Sequence, residues 1–358
     1  MSRYDIRYID PESEFLENAW YVATQSSQLG TEMVSIRLLG QNVLFYRDTQ
    51  GRAVALEDAC PHRKVPLSMG KLVGDVVHCG YHGLQFDCSG RCVGAPTQDK
   101  IPSNAFVRSY PVVERYNLIW IWMGDPQKVD ESSLLHVPDY GDEGWALTDG
   151  GVLEVRCHYL YLVDNLLDPS HVAWVHETSF ASAGTEDVPL VIEDRESGVL
   201  VSRWIKDIEP PPYYAEMLPF GGRVDRLQYY EAVIPSVAIN MSTYARAGFG
   251  GDNDNLPEDS YRMRSYHFIT PIDENSTRYH WFQHYNTNID DEAVRRKLND
   301  GARGAFEEDR VVLEAVDHGM NQQQRPHLDL RLDVGSRKFR KKLTALIKAE
   351  KQALAATA

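Results

Sequence analysis

The sequence predicts an α+β protein in two domains: an all-β first third, then a larger domain in which strands give way to two helices. Three observations carry this. At 358 residues the chain is long for one core and natural for two. From about 20 to 125 the pattern is one of short strands separated by turn residues. Helical periodicity appears only near the end, at 289–317 and 336–354.

In the first domain, VSIRLLGQNVLFYRD and AVALED flank Asp48-Thr49-Gln50-Gly51, which reads as a hairpin turn. NLIWIWM at 117–123 is apolar on both faces and ends at Gly124-Asp125-Pro126, the mark of a buried closing strand followed by a linker. The Asp-, Ser-, Gly- and Pro-rich stretch 127–150 sets the boundary, giving domains of 1–130 (core about 18–125) and 131–358. Strand-like segments then recur at 152–158, 199–205, 229–234, 261–269 and 277–285. GFGGDNDNLPED at 248–259 reads as a loop over a site, and its Gly248-x-Gly250 is no dinucleotide fingerprint because no βαβ unit surrounds it. SRKFRKK is the solvated face of the last helix.

A hydrophobic share of 43% is ordinary for a globular protein, and no apolar run approaches a membrane span. The polar, acidic start MSRYDIRYIDPESEF lacks the build of a signal peptide, so a cytoplasmic location is expected. Five cysteines, an odd and uneven set, do not suggest a disulfide framework. A net charge of −15 argues against general nucleic-acid binding.

The chemistry begins at CPHRKVPLSMGKLVGDVVHCGYH, residues 60–82. Each of two short loops offers one thiolate and one imidazole: Cys60 with His62, and Cys79 with His82. A zinc finger usually draws a Cys pair and a His pair from separate elements. The mixed order suits two adjacent irons, with Cys60 and Cys79 on one and His62 and His82 on the other. Neutral imidazoles in place of thiolates remove negative charge and raise the potential of such a [2Fe–2S] cluster. Cys88, Cys92 and Cys157 read as ordinary buried or half-buried thiols.

An electron carrier needs only the first domain, yet DNLLDPSHVAWVH follows at 164–176 and FEEDRVVLEA at 306–315. Two histidines and one carboxylate on one face of a metal form the facial triad of non-haem Fe(II) oxygenases. At about 100° per residue, His176 lies about 140° from His171, too far for one ion on an ideal helix. The helix is therefore expected to distort or end between them, with Pro169 starting or kinking it. His171 and His176 are the expected ligands, Asp168 is expected to orient one of them, and the third ligand is open among Glu307, Glu308 and Asp309.

Together, Cys60-Pro61-His62, Cys79-Gly80-Tyr81-His82-Gly83 and the second motif resemble the oxygenase (alpha) component of Rieske non-haem iron oxygenases. The resemblance runs from NAWYVA at 18–23 to Phe306-x-Glu308-Asp309. YHGLQFD at 81–87 and ITP…STRYHWF at 269–282 are most similar to the vanillate O-demethylase and dicamba monooxygenase group.

The resemblance implies an all-β Rieske [2Fe–2S] domain, then a helix-grip catalytic domain with a curved antiparallel sheet and one mononuclear Fe(II). It implies Asp309 as third ligand, Asp168 as the bridge for an electron from a cluster histidine, and Asn165 as a residue near the iron. It also implies transfer between subunits, hence a homotrimer. The sequence departs from the group at Val316-Asp317-His318-Gly319, where glutamines are common, and at Asn117, where glycine is.

With no recognisable flavin or nicotinamide site, the chain needs an NAD(P)H-dependent flavin/[2Fe–2S] reductase, or a reductase plus ferredoxin. Arg63, Lys64, Lys71 and Arg91 around the cluster loops offer a basic patch for it. The expected reaction is hydroxylation of a small aromatic compound, with O- or N-dealkylation and formaldehyde release. Alternatives are ring cis-dihydroxylation, methyl or ring hydroxylation, and at class level a carrier without oxygenase activity. Trp204, Tyr213, Tyr214, Phe220, Tyr230, Phe268 and Trp281 are candidate pocket or core aromatics. His267, His280 and His284 read as core or surface residues. Arg246, Arg262 and Arg264 are unranked anchors for a carboxylate.

Overall fold

The computed structural model describes residues 14–96, 98–177, 179–180, 187–252, 255–322 and 328–357. They fall into two compact units: 1–135 with 270–274 and 346–358, and 136–269 with 275–345.

The first unit is built from ten strands: β1 (Trp20–Gln25), β2 (Val34–Leu38), β3 (Gln41–Arg47), β4 (Ala53–Glu57), β5 (Lys71–Val73), β6 (Val76–His78), β7 (Gln85–Phe86), β8 (Cys92–Gly94), β9 (Val112–Arg115) and β10 (Leu118–Trp122). They form three antiparallel sheets in the orders β1-β10-β9, β2-β3-β4 and β5-β6-β7-β8. As the all-apolar run requires, every residue of β10 is buried. The β3–β4 turn is the expected one: Asp48 Oδ1 accepts from the Gln50 and Arg52 N–H groups, and Gly51 has φ +80°.

The β9–β10 hairpin explains one departure from the family pattern. Arg115 pairs with Leu118 across a two-residue loop in which Tyr116 and Asn117 have φ of +59° and +57°. Two positive φ values in a tight hairpin favour Gly, and Asn next, so Asn117 keeps the turn that glycine usually makes.

The second unit holds an eight-stranded antiparallel sheet. Its strands are β11 (Ala146–Leu147), β12 (Gly151–Val155), β13 (Val191–Arg195), β14 (Gly198–Ile208), β15 (Val224–Val233), β16 (Val237–Arg246), β17 (Tyr261–Asp273) and β18 (Ser276–Tyr285). The order is β11-β18-β17-β16-β15-β14-β13, with β12 also on β18. Its helices are α1 (Tyr159–Leu167), α2 (Val172–Val175), α3 (Pro212–Ala215), α4 (Glu292–Gln322) and the first part of α5 (Val334–Thr357), whose residues from 346 on belong to the first unit. β11, β13 and β16 are additions to the strands expected from the sequence. The loop 248–259 includes Asn253 and Asp254, which lie outside the described residues. Its described part is tied down by the Gly250 N–H on Asp225 Oδ2 and does not line the cavity described below.

α4 buries Leu298, Ala302, Ala305, Asp309 and Leu313, a single stripe at three- and four-residue spacing. Four members are apolar and one is a carboxylate. Asp317, in the second departure from the family pattern, accepts from the His158 N–H at the start of α1 at 3.0 Å. Among the described residues no helix is long and apolar enough to cross a membrane.

Candidate functional site

The two cluster loops share one backbone design. Cys60 N–H donates to Val65 O at 2.9 Å, and Lys64 N–H returns to Cys60 O at 2.8 Å. Cys79 N–H donates to Leu84 O at 2.8 Å, and Gly83 N–H returns to Cys79 O at 3.0 Å. The fourth residue after each cysteine is left-handed, Lys64 at φ +60° and Gly83 at φ +73°. Asp58 fastens the first loop by accepting from both the N–H and the hydroxyl of Ser68, at 2.8 and 2.7 Å.

This design separates the donors by polarity. Cys60 and Cys79 are 1% and 4% exposed, within the core of Leu44, Leu56, Leu67, Val77 and Phe86. His62 and His82 are exposed, their ring centroids 4.6 Å apart. Burial pushes the Cys60 thiol up, so its ionisation calls for an adjacent positive charge. Two buried thiols and two exposed, adjacent imidazoles on paired loops fit a two-iron cluster with sulfur ligands inside and imidazole ligands at the surface. Cys92 shares the core of Cys60 and Cys79 and Cys88 packs against it, while burial pushes Cys157 up to about 12. Arg63, Lys64, Lys71 and Arg91 are all exposed.

In the second unit the helix breaks before His171 and not, as expected, between the two histidines: the short α2 runs from one to the other, and His176 leaves it as the C-cap at φ −112° and ψ 37°. α1 ends at Leu167 with Asp168 as its C-cap, Pro169 follows, and α2 begins with His171 as its N-cap. Asp168 Oδ1 accepts from the Ser170 N–H at 2.7 Å, closing the turn. His171, His176 and Asp309 then offer donor atoms all within 4.8 Å of one another. His171 Nε2 lies 3.6 Å, and His176 Nε2 3.3 Å, from Asp309 Oδ1. Asn165 donates its amide to the same oxygen at 3.2 Å.

Behind the donors, His176 Nδ1 meets Glu308 Oε2 at 2.7 Å, while His171 Nδ1 is 4.0 Å from Asp168 Oδ2. The orienting carboxylate on His176 is thus Glu308, whose role the sequence reading missed; Asp168 faces His171 at more than hydrogen-bond distance. Burial opposes a charge on His176, but its hydrogen bonds to Asp309 and Glu308 outweigh burial and raise its pKa. Two imidazoles, one carboxylate and a second carboxylate behind one imidazole fit a divalent iron.

The three donors open onto a cavity of about 80 Å³. Tyr214 and Tyr230 line it, whereas Trp204, Tyr213, Phe220, Phe268 and Trp281 do not. His267 lines it too, with Nδ1 at 2.6 Å from the Tyr279 hydroxyl, and burial pushes its pKa down to about 3. His280 and His284 are buried off the cavity, and burial lowers His284 to about 4. The three candidate anchors are elsewhere: Arg246 pairs with Asp259, Arg264 with Asp139, and Arg262 lies over the Trp145 ring. Arg226, Asn240, Ser242 and Ser265 supply polar lining that the sequence reading did not single out.

Comparison with known proteins agrees with both halves. Residues 19–111 match the Rieske [2Fe–2S] domain, and 155–349 match the vanillate O-demethylase oxygenase C-terminal domain. The chain belongs to the vanillate O-demethylase family of Rieske oxygenase components. Relatives include the iron–sulfur subunit of a toluene-4-sulfonate monooxygenase system from Comamonas testosteroni, 36% identical over 94% of this chain and 98% of its own. The oxygenase component of dicamba O-demethylase from Stenotrophomonas maltophilia is 34% identical over 85% of this chain and 88% of its own. A crystal structure of dicamba monooxygenase with non-haem iron and dicamba is 29% identical with a TM-score of 0.78, covering 95% of this chain and 99% of that one. This oxygenase component therefore has the expected fold class, a Rieske domain followed by an antiparallel sheet with helices, and the cofactor pair of that family, one [2Fe–2S] cluster and one mononuclear iron.

Proposed function

We propose that this oxygenase component hydroxylates a C–H bond of a small aromatic compound on a methyl group carried by oxygen or nitrogen, releasing formaldehyde. The observation that carries this reading is the convergence of His171, His176 and Asp309 at the wall of a cavity. When bound, the cluster supplies single electrons and the iron a place for O₂ to be reduced.

Cys60, Cys79, His62 and His82 hold the cluster, the thiols in the core and the imidazoles at the surface. His171, His176 and Asp309 hold the iron. Glu308 fixes the ring of His176, and Asn165 fixes one oxygen of Asp309 so that it faces the histidines. Asp168, beside His171, would be the bridge between the iron site and a cluster histidine of a neighbouring subunit in a homotrimer. The buried faces of Tyr214, Tyr230 and Phe306 exclude water and hold the ring. One oxygen atom enters the C–H bond and the other leaves as water, with two electrons and two protons consumed. The resulting hemiacetal or hemiaminal collapses to formaldehyde and a phenol or amine.

Electrons come from NAD(P)H through a separate flavin/[2Fe–2S] reductase, or a reductase plus ferredoxin, docking at the exposed Arg63, Lys64, Lys71 and Arg91. The cytoplasm suits thiols that must stay reduced. The domain boundaries of 1–130 and 131–358 belong to the same reading.

The iron-loaded protein, a surrogate reductase, NADH, O₂ and a panel of O-methyl, N-methyl and plain aromatic compounds test the reading. Formaldehyde equal to the NADH consumed is expected. Products that gain one or two oxygens without formaldehyde move the function to hydroxylation or ring dihydroxylation.

A further inference from the structure

The cavity beside the three donors contains a cation that nothing among the described residues neutralises. Arg226, on β15, is 1% exposed and is the one arginine or lysine among the described lining residues. Its Nη1 donates to the Phe180 carbonyl at 3.1 Å, and its Nε is buried without a hydrogen-bond partner. The guanidinium lies 5.8 Å from the Tyr214 ring centre and 5.5 Å from that of Tyr244. It makes no ion pair among the described residues.

The neighbouring Asp225 does not serve. Successive residues of a strand face opposite sides, and Asp225 accepts from the N–H groups of Asp207 and Gly250, both at 2.8 Å. Burying an unpaired charge is costly, and two distant aromatic faces return only part of that cost.

The rest of the lining is divided in the same sense. Asn240 Oδ1, Ser265 Oγ and His267 Nε2 are also buried without partners, while Ala302, Ala305 and Phe306 are apolar. His267 stays neutral and adds no second cation. The cavity therefore offers an apolar wall for a ring and one positive charge with unused donors for an anion.

We propose that Arg226 is the counter-ion for an oxyanion carried by the substrate, so that the site selects aromatic carboxylates or sulfonates over their neutral counterparts. This rests on the proposed function only in taking the cavity as the substrate site. It goes further by choosing between acidic and neutral aromatics, which the metal ligands cannot separate.

The test compares para-methoxybenzoate with para-methoxybenzamide, and para-toluenesulfonate with para-toluenesulfonamide. Calorimetric binding to the cluster- and iron-loaded wild-type protein, R226M and R226K would be measured, with formaldehyde assayed in the methoxy samples. The wild type should bind at least one acid about 10- to 100-fold more tightly than its amide, the scale of a charge-assisted hydrogen bond. R226M should lose that margin while binding the amide within about three-fold of wild type, and R226K should recover part of it.

An amide that binds the wild type as tightly as its acid overturns the proposal without any variant. So does the absence of acid binding, or a folded R226M with an unchanged acid-to-amide ratio, which would leave Arg226 as a support for Phe180 and the tyrosines. Acid binding through Arg226 without formaldehyde would refute dealkylation and keep the counter-ion. Formaldehyde from acid and amide alike, in wild type and R226M, would do the reverse.

Discussion

The two metal sites of this chain solve opposite problems. In the cluster loops, both cysteines sit in the core and both histidines are exposed, so one edge of the site meets solvent. In the second unit, His176 and Asp309 are each 5% exposed and the donors line an internal cleft with an apolar wall. An electron can cross an exposed edge without any atom entering. Oxygen chemistry on a C–H bond needs water kept out and the substrate held still. The difference in burial is thus a difference in task.

Supporting groups differ in the same way. The cysteines of the cluster loops are held by backbone hydrogen bonds repeated in both halves, with the Asp58 side chain added only in the first, whereas the iron donors themselves are held by side chains, Glu308 behind His176 and Asn165 on Asp309. Replacing a side chain behind the iron donors should therefore injure the second site and spare the first. E308Q is expected to weaken iron binding at the mononuclear site about 10- to 100-fold, with the visible spectrum of the cluster unchanged. Competition with a chelator reads the first quantity and absorbance the second. Equal losses at both sites would break the distinction.

Acid should separate the units too. His267 and His284 are buried, with pKa values pushed down to about 3 and about 4, while in an unfolded chain each would titrate near the ordinary histidine value of about 6.5. Below that value the unfolded state binds protons that the folded state does not, so stability falls as pH drops. The loss is at most about 1.4 kcal/mol per pH unit for each histidine. It begins near the unfolded value and ends at the folded one. Urea denaturation between about pH 7 and pH 5 should show the catalytic unit weakening; H267F, which removes one of the two titrations, should lessen the slope and leave the part due to His284.

The smallest effect compares the two cluster loops with each other. Both need a left-handed residue four places after the cysteine, and only Gly83 supplies it without strain. A Cβ at Gly83 would also lie 3.2 Å from Pro96 Cγ. G83A should cost about 1–2 kcal/mol, and K64G should be neutral or slightly stabilising, both read from denaturation followed by cluster absorbance.

The same contrast governs what the sequence reveals. The cluster donors fall in one continuous stretch, 60–82, with backbone turns that follow from local chemistry. The iron donors come from 171–176 and 309, and spacing alone left Glu307, Glu308 and Asp309 open. A signal was present: 298, 302, 305, 309 and 313 form one stripe in which Asp309 is the only charge. A carboxylate in an apolar stripe is buried and needs a partner, whereas Glu307 and Glu308 fall off it.

Cavity residues were the least legible. β16 was missed because Asn240 and Ser242 interrupt apolar alternation on the face lining the cavity. Arg226 was missed because VDRLQ, the start of β15, reads as a polar loop. β13, with the sequence VIEDR, is a polar edge strand whose charges suit an unpaired edge. Strand residues that serve a ligand break the pattern by which strands are recognised.

The most direct test of the account is the ratio of iron to acid-labile sulfide in the reconstituted wild-type protein and in D309A. The account predicts about three irons to two sulfides per chain in the wild type, and about two to two in D309A with the cluster spectrum intact. Equal iron and sulfide in the wild type, or a third iron retained in D309A, would contradict the assignment of His171, His176 and Asp309 as the second metal centre.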